Sequence, residues 1–191
     1  MSEPTDIERL VFRPVDASRW ADMERLFEGP GGPKYCWCMA WRATPKEAQH
    51  HDNASRKEAM FRRVHAGVPV GLLGYLEGEP VAWCSVAPRP TYRRLVKDDN
   101  PDPEIWSIVC FFVVRRLRGQ GITHRLIQAA VDHARANGAS IVEAYPVDVA
   151  SPSYRHMGFV PALRHSRWSS IQHSRCDPLP RSGPHGRRSP K

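Results

Sequence analysis

The chain has 191 residues, 41% of them hydrophobic and 25% charged. These are proportions of an ordinary globular domain, and they exclude collagen-like, coiled-coil and wholly disordered chains. The net charge of +8 sits mostly at one end, with seven Lys or Arg and one acid from Arg164 onward, so it is no sign that the folded part binds nucleic acid.

Residues 7–15 have the composition of a strand. Asp16 and Ser18 then stand where a helix N-cap is expected, and Trp20, Met23, Leu26 and Phe27 recur at helical spacing. Gly29-Pro30-Gly31-Gly32-Pro33 stops that helix. Cys36-Trp37-Cys38 follows and, with Cys84, Cys110 and Cys176, makes five cysteines, an odd count that points to reduced thiols. Cys36, Cys38, His50 and His51 offer metal-ligating types, but no second Cys pair stands at zinc-ribbon or finger spacing, so no metal is expected.

A second helix is expected over 56–66, with Met60, Phe61 and Val64 inward and Gly67 as its stop. Residues 70–76 and 80–87 flank Glu77-Gly78-Glu79 and read as a β-hairpin. After a loop over 88–104, residues 105–114 form a strand apolar on both faces, broken only by Ser107, which belongs in the middle of a covered sheet. A basic glycine turn over 115–121 leads into a helix with Ile122, Leu126, Ala130 and Ala134 four apart and Ile127 and Val131 beside them. Asn137-Gly138 ends it, residues 140–146 form the next strand, and 151–157 form a short helical turn. Residues 105–146 thus make a right-handed βαβ unit with parallel strands, and the hairpin before it makes the sheet mixed.

The expected division is a folded domain over 1–163 and a basic Arg/Ser/Pro-rich tail over 164–191, with disorder beyond Ser174, because so few apolar groups cannot offset the entropy of ordering. No apolar run reaches the ~18–20 residues of a membrane span. Glu3, Asp6 and Glu8 near the start are unlike a secretory or mitochondrial leader, so a cytoplasmic location is expected.

Arg118-Gly119-Gln120-Gly121-Ile122-Thr123 joins the apolar strand to its helix. Glycines let a backbone turn sharply and approach a ligand, and the free N–H groups of a helix's first turn attract an anion. Arg115, Arg116 and Arg118 add positive charge. A Walker A loop would need Gly-Lys-Ser/Thr, and a dinucleotide fingerprint would need a third glycine in register, although Glu143 stands at about the distance of its acid. On the glycines alone, a plain tight turn with solvated arginines explains the pattern as well.

The strand Phe111-Phe112-Val113, the glycine turn, and Tyr154-Arg155-His156-Met157-Gly158-Phe159 further on together resemble the GNAT superfamily of N-acetyltransferases, whose acetyl-CoA signature is Gln/Arg-x-x-Gly-x-Gly/Ala. The register beginning at Arg118 puts Thr123 where Gly or Ala is usual, whereas one beginning at Arg116 fits every letter; both place the same glycines under the phosphates. The resemblance covers residues 7–160. It extends to a bacterial subgroup with Cys-Trp-Cys-Met-x-Trp-Arg, here Cys36 through Arg42, and Glu-x-Tyr-Pro-Val-Asp, here Glu143 through Asp148.

The resemblance implies an α/β fold: a GNAT-type mixed β-sheet flanked by helices, with a central βαβ acetyl-CoA-binding unit and an altered, disordered C-terminus. It implies acetyl-CoA as co-substrate, its pantetheine arm along Phe111, Phe112 and Val113 and its diphosphate on Gly119, Gln120, Gly121, Ile122 and Thr123 beside Arg118. An amine of a small molecule or protein then attacks the thioester directly in a ternary complex. Tyr154 is the implied acid for the leaving thiolate, with Tyr145 in reserve; packing of Tyr154 on the sheet is the alternative. Glu143 is the candidate base, since a carboxylate buried within a strand can take up a proton near neutrality, and an ion pair with an arginine is the alternative. A backbone N–H near Phe112 or Val113 is the oxyanion donor, and Cys110 reads as a buried thiol.

The acceptor is expected between the first two helices and the loop before the central strand, near Tyr35, Trp37 and Trp41 and opposite Asp98, Asp99, Asp102 and Glu104. The composition favours the plainer alternative, tryptophans in the core and acids on a solvated loop. Expected partners are acetyl-CoA and an amine acceptor, with a homodimer admitted, no membrane, and nucleic acid only through the tail. The second reading is a catalytically impaired acyl-CoA-binding or interaction module of the same fold. It arises because residues 160–174 stand where the family adds a closing hairpin, as if the tail had replaced that terminus, for example through a shifted reading frame.

Overall fold

The computed structural model describes residues 9–50, 52–96, 102–147, 150, 156 and 158. Tyr154, Asp98, Asp99, Cys176, the 163/164 boundary and the tail lie outside the described residues, as does the helical turn at 151–157 apart from His156.

Strand β1 (Val11–Pro14) leads through a short turn to helix α1 (Trp20–Glu28), which buries Met23, Leu26 and Phe27 as their spacing requires. In the turn, Asp16 accepts from Ser18 Oγ and Arg19 rather than from a helical amide. Helix α2 (Asn53–His65) begins three residues before the expected start, because Asp52 caps it by accepting from the Ser55 amide at 2.8 Å. Strands β2 (Leu72–Leu76) and β3 (Glu79–Pro88) form the expected hairpin. Its turn is two residues long, not three: Glu77 (φ +50°) and Gly78 (φ +82°) are both left-handed, the two-residue geometry that matches the twist of the flanking strands. Strand β4 (Ile105–Val113), helix α3 (Ile122–Ala136) and strand β5 (Ile141–Ala144) complete the described elements.

The sheet runs β1-β2-β3-β4-β5, antiparallel except for the parallel β4–β5 pair, so the βαβ unit and the mixed sheet are both present. One face of the sheet packs on α1, α2 and the segment between them, and the other on α3. Strand β4 is apolar on both faces because both are covered. Among the described residues no helix is long and apolar enough to cross a membrane.

Strand β4 carries a bulge. Ser85 pairs with Cys110 but Val86 pairs with Ile108, which leaves Val109 as the extra residue, and Val109 and Cys110 both pack in the core on the α1/α2 side. Pairing of β4 with β5 ends at Ile108 and Ala144, while β4 runs on to Val113. The two strands thus part just where the bulge re-aims β4.

The segment between α1 and α2 belongs to the core. Trp37 is 1% exposed and its ring lies 5.6 Å from that of Trp20 and 5.0 Å from that of Phe27. Trp41 is buried, Trp83 donates its indole N–H to Cys38 Sγ at 3.0 Å, and Arg42 is wholly buried. Only Tyr35 of the expected acceptor aromatics is exposed. Cys36, Cys38, Cys84 and Cys110 are free thiols.

Candidate active site

Past Val113 the backbone makes a single 3-10 turn over Arg115–Leu117, extends at Arg118, and enters α3 through Gly121. Gly119 (φ +79°) and Gly121 (φ +81°) are left-handed, a conformation that β-carbons disfavour, and a Cβ on either would meet no protein atom within 4 Å. These glycines therefore permit the turn and leave open space beside it. Arg118 Nε donates to the Val113 carbonyl at 2.9 Å, and Gln120 Nε2 donates to the Arg116 carbonyl at 3.2 Å.

That open space is a cleft of about 800 Å³. Phe111, Phe112, Val113, Arg118, Gly119, Gly121, Ile122 and Thr123 line it, which is every cofactor residue expected from the sequence except Gln120. Leu117, His124, His156 and Gly158 complete the lining. The Val147 amide donates to the Gly158 carbonyl at 2.9 Å, which ties Gly158 to the segment after β5. His124 lies within the first turn of α3, where the helix pattern marks it only as a non-core position.

On the α1/α2 face, at the parting of β4 and β5, stands a polar cluster. Ser107 Oγ and Tyr145 Oη each donate to Glu143 Oε1 at 2.6 Å. Arg89 Nη1 lies 3.9 Å from Glu143 Oε2, an ion pair too long to be a hydrogen bond. Ser107 is fully buried, and the side chains of Glu143 and Arg89 are 11% and 26% exposed. Burial, then the bond to Glu143, pushes the Tyr145 phenol up and keeps it protonated. Glu143 thus lies inside β5 with an arginine beside it, the ion-pair alternative at long range. Ser107 and Arg89 were not singled out as site residues by sequence, since strand register brings the first to Glu143 and the turn after β3 brings the second.

A second cleft, of about 490 Å³, lies between residues 36–50, α2 and Arg94, and neither Trp37 nor Trp41 lines it. Asp102 and Glu104 are exposed, and Asp102 accepts from the Glu104 amide at 2.9 Å. The tryptophans are core, and these two acids belong to a solvated loop.

The sequence profile of the acetyltransferase (GNAT) family matches residues 34–159. The chain belongs to that family.

The GNAT fold is also what the solved structures share with it. An aminoglycoside acetyltransferase from an uncultured soil metagenomic sample, in complex with sisomicin, is 14% identical with a TM-score of 0.53, over 96% of this chain and 98% of that one. The same aminoglycoside acetyltransferase in complex with trehalose gives 0.51 at 14% identity over the same shares. A GCN5-related N-acetyltransferase from Ralstonia eutropha JMP134 is 18% identical with a TM-score of 0.45, over 80% and 93%. At such identities the two likenesses with TM-scores above 0.5 are of fold alone. No curated protein sequence matches the chain significantly. The GNAT match spans β4, the glycine turn, α3 and β5, and its last residue, Phe159, ends the Tyr-x-x-x-Gly-Phe motif.

Proposed function

We propose that this chain is an acetyl-CoA-dependent N-acetyltransferase that acetylates an amine by direct attack in a ternary complex. The observation that carries the reading is the 800 Å³ cleft, where an open glycine turn at a helix N-terminus meets a strand end whose β5-side edge is unpaired among the described residues. Beyond Ile108 no described residue pairs with β4 on its β5 side, so an extended amide-bearing arm can lie along Phe111, Phe112 and Val113 as an added strand would. The amides of Gly119, Gln120, Gly121, Ile122 and Thr123, with Arg118, suit a diphosphate, because among the described residues none of these five N–H groups donates to a backbone carbonyl.

Acetyl-CoA supplies an activated acetyl thioester. The acceptor nitrogen forms the new C–N bond, the C–S bond breaks, and the ammonium must lose a proton while the sulfur gains one. We assign proton removal to Glu143, whose Oε2 accepts no hydrogen bond among the described residues. Ser107 and Tyr145 fill its other oxygen and fix its orientation. Tyr154 is assigned the proton for the sulfur, as the tyrosine of Tyr-x-x-x-Gly-Phe. The folded unit is residues 1–163, with 164–191 a separate tail. Four free thiols suit a reducing cytoplasm, and the Cys36 through Arg42 segment supports a likeness to the bacterial subgroup.

Calorimetric titration with acetyl-CoA, followed by thiol release with a panel of amines, tests this. Micromolar binding with sustained turnover is expected. Binding without turnover of any amine would instead support an acyl-CoA-binding module, and no binding by a folded sample would overturn both.

A further inference from the structure

Arg89 is the unspent charge of the site. Three quarters of its side chain is covered, and among the described residues its guanidinium makes no hydrogen bond and has one carboxylate within 4 Å, Glu143 Oε2 at 3.9 Å. A guanidinium has five donors in a fixed fork, and a covered one left without acceptors is poised for an anion. Glu143 is half spent in the complementary way, with Oε1 doubly filled and Oε2 open. The two open ends face each other across a short gap at the parting of β4 and β5, next to the stretch of β4 that no described residue pairs on its β5 side.

We propose that this pair reads an acceptor carrying a carboxylate beside its amine, as a free amino acid does: the ammonium on Glu143 Oε2 and the carboxylate on Arg89. This rests on the acetyltransferase reading and adds the substrate class to it. An amine and a carboxylate on one carbon offer opposite charges at a spacing comparable to the Arg89–Glu143 gap. Arg89 binds the carboxylate bidentately and, by moving onto it, frees Glu143 for the ammonium. A polycation such as sisomicin would instead meet the Arg89 guanidinium at like charge. The amine of a protein N-terminus, whose neighbour is a neutral amide, would leave Arg89 unpaired.

Thiol release from acetyl-CoA is measured with the common amino acids, each beside its carboxamide, and with sisomicin. For at least one pair the acid is expected to exceed its amide in kcat/KM by about tenfold or more. Arg89→Gln is expected to bring that ratio toward one, chiefly through KM, and Arg89→Lys, which keeps the charge, to retain part of it. A ratio at or below one, a preference for sisomicin, or a ratio unmoved by Arg89→Gln overturns the proposal and leaves the acetyltransferase reading standing. If every amine is silent, titration with the N-acetylated acids and amides decides: acid binding weakened about tenfold by Arg89→Gln supports the site, and its absence overturns it. Acetyl-CoA titration of the same sample reports separately on the acetyltransferase reading.

Discussion

Arg118 donates its Nε–H to the carbonyl of Val113 at 2.9 Å, so the arginine that opens the glycine turn is bonded to the last residue of the strand before it. The bond sets the distance between the two halves of the 800 Å³ cleft, the strand end and the helix start. It also spends one guanidinium donor on the protein and leaves the others for a ligand. Arg118→Ala is expected to weaken acetyl-CoA binding about tenfold or more while lowering stability by only about 1 kcal/mol, the net worth of one hydrogen bond. Calorimetry and urea denaturation of the same variant check the two halves of this statement.

Gly119 and Gly121 separate stability from binding in the same way. Their φ values of +79° and +81° make each Gly→Ala cost about 1–2 kcal/mol of folding stability, with no steric addition because no protein atom lies within 4 Å of either Cβ. The space the Cβ enters borders the cleft, so the steric cost falls on the ligand. Both single variants are expected to fold, melt a few degrees lower, and lose measurable affinity for acetyl-CoA. A variant that melts lower but binds normally would free these glycines from the cofactor.

Much of this frame was legible in the residues. The βαβ unit, the hairpin and the glycine turn follow from periodicity and punctuation, and the turn's cleft residues follow from the motif. The bulge at Val109 was not legible, because a bulge shows in sequence as a slip in alternation and residues 108–114 are uniformly apolar. Without it the faces of Phe111 and Phe112 could not be assigned. The Glu143 cluster was half legible: alternation put Glu143 and Tyr145 on one face, but Ser107 meets them through strand register and Arg89 through the turn after β3. Arg42 ran against expectation outright, since arginine is among the residues least often buried.

The division of labour between two tyrosines is open to kinetics. Tyr145 already donates to Glu143 and is held protonated, so Tyr145→Phe removes an orienting bond, and its expected effect is a severalfold rise in amine KM with a smaller change in kcat. Tyr154→Phe removes the assigned acid, and kcat is expected to fall by about a hundredfold with acetyl-CoA affinity kept. Turnover unchanged in Tyr154→Phe would transfer the acid role away from that residue.

Glu47 links folding stability to pH. Arg63 grips both its oxygens at 2.7 Å and the Thr44 amide donates to it at 2.9 Å, so its carboxyl is held down at about 2, against 4.5 for an ordinary glutamate. A depressed folded-state value means stabilisation that is complete above about 4.5 and is lost as pH falls toward about 2. Glu47→Gln is therefore expected to cost about 1–3 kcal/mol at neutral pH. Its difference from wild type should shrink steadily as urea denaturation is repeated below the usual carboxylate range. A difference that persisted undiminished in acid would assign the loss to packing rather than charge.

Arg42 carries its charge into the core without a carboxylate. Its Nη1 donates to Thr91 Oγ1 at 3.1 Å and the Pro69 carbonyl at 3.4 Å, and its Nη2 to the Val70 carbonyl at 2.9 Å and Ser85 Oγ at 3.3 Å. The Tyr92 ring lies 4.1 Å from the guanidinium carbon, and Nε has no partner. Four dipoles and a ring thus replace a counter-ion, and they join the segment after α1 to β3 and to the turn that carries Arg89. Arg42→Ala would orphan those acceptors and open a cavity, and is expected to cost about 3–5 kcal/mol. Arg42→Lys is the sharper test. A lysine cannot span four acceptors, and burial would push its pKa down, so the unfolded chain would hold more protons than the folded one. Stability of Arg42→Lys should then rise with pH between neutrality and the ordinary lysine range, whereas Arg42→Met, with no titrating group, should follow the wild-type profile at a lower level. A flat Arg42→Lys profile in urea denaturation would mean that the replacement ammonium reaches water, and that the site is less enclosed than Arg42 makes it.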